Sequence, residues 1–393
     1  MGDAEQKKMK TILFILDAPF SDWKGTQRFI YSLGKYLMAH SFNVIVLENR
    51  SKKMQEKSVP IDIEIPFDVK TIHFRKFFGL GAVSKKTIES LKPDFVYVAF
   101  LNLNPFIPSF RYQTIFGSHI LHLSHLSYAS LKKRITFSMK RSVLRLISYI
   151  CWRDKPIAFH TLTIQQKQWI NSVTGSKHSI FTIENPIESC DCVKSSFHLS
   201  KNNSFRILFL GSFSQDKGFD TFLRIIDILN ASEQGKRIEI IAAGSGVMKP
   251  LLEKYINMYG NIIFYERPTD KKKYELFHES DLMVYPSLMD IYPYTIAEAQ
   301  ISGMPVLAGD TSRASCIIME GQTGYTIPLR SIDSFVDRIR QYYNMWNADF
   351  GGYCLLRNNI ATYSKRLCEN YILPKYLEMF KNLSSQKEAN SRT

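Results

Sequence analysis

Two acids, Asp290 and Glu298, stand with seven residues between them inside SLMDIYPYTIAEAQISGMPVL, Ser287 to Leu307. The stretch reads as a loop, a helix and a strand, with Asp290 ending the loop and Glu298 one and a half turns into the helix. Both carboxylates can then face one cleft. Pro293 suits the first helical position, where its missing N–H costs nothing, and Gly303 followed by Pro305 supplies stop signals. Glu298 is surrounded in sequence by Tyr294, Thr295, Ile296, Ala297, Ala299 and Ile301, where an ionised carboxylate is costly unless it is hydrogen-bonded. A pair of sugar hydroxyls would satisfy it. The N–H groups of Tyr294 and Thr295, with the positive end of the helix dipole, form an anion site that fits phosphate. The plainer alternative pairs Glu298 with an arginine such as Arg313 and leaves Asp290 solvating a loop.

Other residues invite chemistry in different degrees. Lys217 lies in the turn SFSQDKG, where it is either a phosphate ligand or a solvated lysine. Gly244 and Gly246 form GSG without the third glycine of a dinucleotide fingerprint, which gives hydride transfer little support. His119, His122 and His125 are three residues apart, yet no carboxylate or cysteine accompanies them in the pattern of a zinc site. The six cysteines are scattered; only Cys190 and Cys192 are close, without the second pair that structural zinc needs. No Ser/His/Asp arrangement and no hydrophobic-flanked DxD motif is evident.

The elements that must position these groups alternate. TILFILD (Thr11–Asp17) is a continuous apolar run suited to a strand buried on both faces. After APFSDWKG, Thr26 to Ala39 carries a helical stripe of Phe29, Ile30, Leu33, Tyr36 and Leu37, and NVIVL (Asn43–Leu47) reads as the next strand. Further strands are expected at Thr71–Phe74, Phe95–Phe100, Thr114–Phe116, Ile157–His160 and Ile180–Ile183, with helices at Lys85–Leu91, Leu131–Trp152 and Gln165–Val173. The pattern restarts with RILFLG at Arg206–Gly211, a helix at Phe219–Leu229, a strand at Ile238–Ala242 running into GSG, and a helix at Met248–Tyr259. A strand at Ile262–Tyr265, a helix at Lys271–His278 and a strand at Leu282–Tyr285 then lead into the acid-bearing segment. Helices at Ile332–Met345 and Lys365–Leu383 close the chain. Such alternation argues for wound parallel sheets, whose ligands bind beyond the carboxyl ends of strands, where Gly211, Gly244 and Asp290 fall.

At 393 residues and 45% hydrophobic composition the chain suits two domains. The expected division is 1–192, a linker at 193–204, 205–364, and 365–393 as a helix packing back on the first domain with a frayed tail from Gln386. Lys+Arg 51 against Asp+Glu 36 gives +15, which favours anionic partners. The charged start MGDAEQKKMK lacks the apolar core of a signal peptide, and no stretch reaches the ~20 apolar residues of a spanning helix. Reduced thiols and a cytoplasmic protein are expected.

With these motifs placed in order, the chain resembles the family-4 retaining glycosyltransferases of the GT-B fold. The resemblance covers nearly the whole chain and is strongest where ILFLGSFSQDKGFDTFL, IIAAGSG, ESDLMVYPS, the Asp290 to Glu298 segment, SGMPVLA and EGQTGYTIP follow one another. It implies an α/β protein of two Rossmann-like doubly wound domains facing a central cleft, an acceptor-binding domain followed by a nucleotide-sugar donor domain. By position, Glu298 inherits the donor ribose and Asp290 the hydroxyls of the transferred sugar, although the usual residue there is Glu. Lys217 matches the lysine that neutralises the diphosphate. Its usual arginine partner is replaced by Ser212, with Arg267 or Lys24 as substitutes. Gly25 and Thr26 match the loop facing donor phosphate and acceptor. Gly211, Gly244 and Gly246 match turns near the nucleotide, and His119 is the candidate beside the donor sugar. The glycines common after the first acid are here Ile291, Tyr292 and Pro293. Neither a metal nor another cofactor is implied; the substrate is a UDP- or GDP-sugar and the acceptor a glycan or lipid-linked molecule, with electrostatic stabilisation of the leaving diphosphate.

Leu131 to Lys155 holds eight basic residues between apolar ones, with Asp154 as its acid. At ~1 kcal/mol per basic residue near an anionic leaflet, this reads as peripheral attachment at the inner membrane face or as a helix with a solvated basic face. A partner subunit of low turnover and a sugar-nucleotide epimerase of the same fold are alternatives. A nucleic-acid binder rests on charge alone, and no nucleic-acid partner is expected.

Overall fold

In a computed structural model of the chain, the structure describes residues 9–16, 20, 25–49, 64–72, 75–77, 80–82, 85–99, 112–117, 142, 145–146, 149, 152, 155–175, 178–188, 201, 203–288, 290, 292–310 and 313–390. The chain forms two compact units, Met1–Pro186 with Glu369–Thr393, and Ile187–Cys368.

The first unit is built on β1 (Lys10–Leu16), α1 (Gly25–Ala39), β2 (Phe42–Asn49), β3 (Asp68–Ile72), β4 (Arg75–Phe77), β5 (Leu80–Ala82), α2 (Lys85–Leu91), β6 (Phe95–Val98), β7 (Gln113–Phe116), β8 (Ile157–Thr161), α3 (Ile164–Thr174) and β9 (Ser179–Thr182). Seven of these strands form a parallel sheet in the order β3-β2-β1-β6-β7-β8-β9, while β4 and β5 pair antiparallel. The apolar run of β1 is buried on both sides. Ile12, Phe14 and Leu16 pack with Phe29 and Leu33 of α1, and Leu13 and Ile15 pack with Ile88, Trp152 and Phe159 on the other face. That alternation is why β1 reads as uninterrupted hydrophobicity.

The second unit carries β10 (Phe205–Ser212), α4 (Phe219–Asn230), α5 (Glu233–Lys236), β11 (Ile238–Ser245), α6 (Lys249–Met258), β12 (Ile262–Glu266), α7 (Asp270–Glu279), β13 (Leu282–Tyr285), α8 (Tyr294–Ile301), β14 (Val306–Gly309), β15 (Gly324–Ile327), α9 (Ile332–Ala348) and α10 (Phe350–Ser364). Its six strands run parallel in the order β12-β11-β10-β13-β14-β15. The strand order reverses between β10 and β13, so their carboxyl ends flank the switch point where wound sheets bind ligands.

Helix α10 is not among the sequence expectations, since Gly351 and Gly352 blunt its opening and its apolar residues do not form one stripe. From it the fully buried Arg357 donates to the carbonyls of Phe277, Ser280 and Gly303, at 2.9, 2.8 and 3.0 Å. These are terminal carbonyls of α7 and α8, which a cation near a helix C-terminus satisfies.

The last helix, α11 (Glu369–Asn390), belongs to the first unit. Its Ile372, Tyr376, Phe380 and Leu383 share a core with α1 and β1. It runs through Asn390 rather than fraying at Gln386, because Gln, Lys, Glu and Ala there are strong helix formers. A 3₁₀ turn at Lys365–Leu367 precedes it, so the break falls after Cys368 rather than before Lys365. The other break falls after Pro186, ahead of the polar stretch 193–204, because Ile187 N–H bonds the Leu367 carbonyl and so belongs with the second unit. Most of the helix expected at Leu131–Trp152 lies outside the described residues.

Candidate active site

The second unit collects the acid and lysine candidates. Lys217 ends a 3₁₀ turn, Gln215–Lys217, just after β10, and Asp290 follows β13, the adjacent strand. The next residue after the lysine, Gly218, has φ +66, and a Cβ there would stand 1.8 Å from the Pro286 carbonyl oxygen. Only glycine allows the turn to lie so close to the strand end. The Leu288 N–H bonds the Asp216 carbonyl at 3.0 Å and ties the loops together, and Ser287 Oγ lies 3.3 Å from the same carbonyl, sharing its one proton between it and Asp290.

In this arrangement Lys217 Nζ lies 2.6 Å from Asp290 Oδ2. The Tyr285 hydroxyl and Ser287 Oγ, the latter at 3.1 Å, donate to the same oxygen. Lys217 Nζ is also 3.4 Å from the Tyr285 hydroxyl. Burial, reinforced by the Asp290 carboxylate, holds the Tyr285 phenol well above its usual range, so it stays a proton donor.

Glu298, 3% exposed at its side chain, receives 2.9 Å from Lys273 Nζ of α7, which also reaches Asp270 Oδ1. The carboxylate is thus satisfied by a lysine, and the side chain of Arg313 lies outside the described residues. At the head of α8, Pro293 is the N-cap with ψ 99 and not the first helical residue. Its ring disfavours a helical preceding residue, and its carbonyl takes the first intrahelical bonds from Ile296 and Ala297. Tyr294 and Thr295 therefore open the helix, ahead of those bonds.

A second cluster forms at the ends of β10, β11 and β12. Gly211 and Ser212 pair in register with Gly244 and Ser245. Gly244 has φ +146, and a Cβ there would meet the Gly211 oxygen at 1.9 Å. Arg267, itself left-handed at φ 44, bonds the Gly244 carbonyl through its N–H and the Ser245 hydroxyl through Nε at 3.1 Å. Among the described non-glycine residues Arg267 shares this sparsely populated conformation only with Ser41 and Lys92, neither of them near this cluster in sequence. Gly246 completes the turn.

Gly25 and Thr26 open α1 in the first unit, and His119, His122, His125 and Lys24 lie outside the described residues. Among the described residues no group of three His, Cys, Asp or Glu side chains could hold a metal ion.

Sequence reasoning did not single out Tyr285, Ser287 or Lys273. Tyr285 is the polar end of the otherwise apolar LMVY strand. Lys273 sits among three lysines, but at the position that continues the buried stripe of Leu276 and Phe277. Those two anomalies were the available signals.

Residues 194–367, most of the second unit, match the family described as glycosyl transferases group 1. The whole chain has the fold of the GT-B glycosyltransferases. It superposes on sucrose-phosphate synthase from Thermosynechococcus elongatus with a TM-score of 0.71 at 13% identity, covering 96% of this chain and 100% of that one. It superposes on Anabaena HepE, solved in complex with UDP and glucose, with a TM-score of 0.65 at 14% identity and the same coverage. Among curated sequences it is 26% identical over 147 residues to the D-inositol 3-phosphate glycosyltransferase of Paenarthrobacter aurescens, 36% of each chain. The matched region spans well under two thirds of the curated relatives' own length.

Proposed function

We propose that the chain is a glycosyltransferase that moves a hexose-type sugar, with retention of configuration, from a UDP- or GDP-linked donor to a glycan or lipid-linked acceptor. The observation that carries this reading is the convergence of Lys217 and Asp290 beyond adjacent strands at the switch point, with buried Glu298 on the helix that follows. Lys217 and the head of α8 supply positive potential for a leaving diphosphate, the electrostatic stabilisation that glycosyl transfer from a diphosphate requires. Glu298, held in an apolar setting, offers a carboxylate acceptor to the ribose hydroxyls. Arg267, poised over the Gly244 turn, is the cation available where Ser212 replaces the usual arginine. Gly25, Thr26 and His119 are assigned to the donor phosphate, the acceptor and the sugar. No metal or other cofactor enters this reading. A UDP-type donor is supported by the likeness to HepE, which is solved with UDP.

Calorimetric titration with UDP, GDP and their sugar conjugates tests the proposal. One nucleotide is expected to bind wild type at micromolar strength, with Glu298→Ala losing about tenfold or more, roughly 1.4 kcal/mol. Equal binding by the variant removes Glu298 from the site. Binding without sugar turnover favours the partner-subunit reading, which the pairing of Lys217 with Asp290 supports.

We also propose that the basic segment holds the protein at the inner membrane face. Arg145, whose guanidinium donates to the Ser172 carbonyl at 3.0 Å, is exposed there with Leu146 and Tyr149, 59% and 68% exposed, a basic and apolar surface suited to anionic lipid. No helix among the described residues is long and apolar enough to cross a membrane. Flotation with phosphatidylglycerol vesicles, lost at high salt, is the expected result; no flotation rejects this part.

A further inference from the structure

We propose that Asp290 acts on Lys217: its carboxylate positions the lysine ammonium and competes with a nucleoside diphosphate for it. This rests on the donor-site reading above and gives its first acid a second role.

Asp290 Oδ2 takes Lys217 Nζ at 2.6 Å, Ser287 Oγ at 3.1 Å and the Tyr285 hydroxyl. Lys217 and Tyr285 fill the two lone pairs of that oxygen, and Ser287, whose one proton is shared with the Asp216 carbonyl, crowds it further. A sugar hydroxyl would have to displace one of them to reach that atom. The donors come from β13, from its loop and from the turn after β10, and the same loops are tied at the Asp216 carbonyl. The loops that carry these side chains are therefore fixed to each other, while the side chains themselves can exchange partners.

The consequence is electrostatic. Lys217 and Asp290 form a pair 29% and 18% exposed, with no net charge between them. An incoming diphosphate meets that neutral pair and gains the full lysine charge only as Asp290 gives way, while the carboxylate also repels it. Asp290 thus holds the ammonium in place and sets the threshold for diphosphate binding. When diphosphate leaves, the same carboxylate recaptures the lysine, which assists product release. Tyr285 and Ser287 are the positioning residues that keep the carboxylate aimed.

The test is calorimetric titration of the full chain with UDP and GDP, and separately with UDP- and GDP-sugars. Four proteins are compared: wild type, Asp290→Asn, Asp290→Ala and the Lys217→Met/Asp290→Asn double variant. Either Asp290 variant is expected to bind the free nucleoside diphosphate about tenfold tighter than wild type. That gain should shrink as salt rises and vanish in the double variant, a dependence on Lys217 that general loss of packing would not produce. Unchanged diphosphate affinity with weaker binding of the sugar conjugate would return Asp290 to the sugar and overturn the proposal. Weaker binding of both by a folded Asp290→Ala protein would also overturn it. If no nucleotide binds any of the four, the donor-site reading fails first and takes this inference with it, a result distinct from either of the others.

Discussion

Lys273 and Glu298 face each other almost without water, at 9% and 3% side-chain exposure. Removing one partner of such a pair strands a buried charge, whereas removing both leaves a neutral, slightly underpacked site. Lys273→Met alone is expected to cost the second unit about 3–5 kcal/mol. Lys273→Met with Glu298→Gln should recover most of that loss, and urea unfolding of Lys273→Met, Glu298→Gln and the double variant measures the coupling. Full additivity would show that the pair does not act as a unit. The sequence made it legible that Glu298 is buried and must be hydrogen-bonded, because its neighbours are apolar. Its partner was not legible, because that lysine is 25 residues away on another helix and looks like part of a solvated basic run. Tyr285 was hidden for a related reason: a tyrosine ending an apolar strand is ordinary until the loop that aims Asp290 at it is known.

Strand and helix identities followed from apolar runs and helical stripes, and β13 at Leu282–Tyr285 falls where the pattern places it. Turn chemistry was legible as composition but not as geometry. Gly218 reads as a turn residue, yet its necessity comes from φ +66 and from the Pro286 oxygen, which would lie 1.8 Å from any Cβ added there. Gly218→Ala is expected to destabilise the second unit by roughly 2–4 kcal/mol, through backbone strain and displacement of the β13 loop, and to weaken nucleotide binding with it. Gly260→Ala is the control, since nothing lies within 4 Å of its Cβ position. Differential scanning calorimetry should show the first shifted down and the second unmoved. Equal melting would mean that the turn can relax. Helix α10 was missed because two glycines and scattered apolar residues conceal a helix whose single buried arginine joins it to three carbonyls.

Across the whole molecule, one buried group in each unit, His160 in the first and Asp281 in the second, responds to acid in the opposite sense to the other. In the first, His160 is fully buried; Nδ1 faces the Tyr97 hydroxyl at 2.7 Å, and Nε2 faces the Ile183 carbonyl and the Tyr376 hydroxyl, each at 2.9 Å. Burial lowers its pKa from 6.5 to about 4, partly offset by the bond to Ile183. The folded state therefore binds fewer protons between those values, and the contribution is complete above the unfolded value and lost as pH falls toward 4. The shift corresponds to roughly 3 kcal/mol. In the second unit, burial raises Asp281 to about 6, so its contribution runs the other way, greatest in acid and lost as pH rises through that range. Hydrogen exchange read at Ile157–Thr161 should show protection falling between pH 7 and pH 4.5, after correction for intrinsic rates, and His160→Gln should flatten that fall. A wild-type profile already flat would refute it. The two-unit organisation was legible as a restarted pattern, while the return of α11 needed the core itself, since an amphipathic last helix does not name the sheet it will cover.

That return has a consequence for how the protein is made. The core beside β1 is finished by Ile372, Tyr376 and Phe380, yet all of Ile187–Cys368 separates them from β9 in the order of synthesis. At about 5–20 residues per second, a ribosome takes roughly 10–40 s to cross that interval. For that time the nascent first unit presents Phe29, Tyr97 and Phe95 where the helix will lie, while the second unit can fold to completion on its own contacts. The order of events at the ribosome is thus inverted: the part begun first is the part completed last, and chaperone occupancy on translating chains should peak after β9 emerges and fall once α11 does.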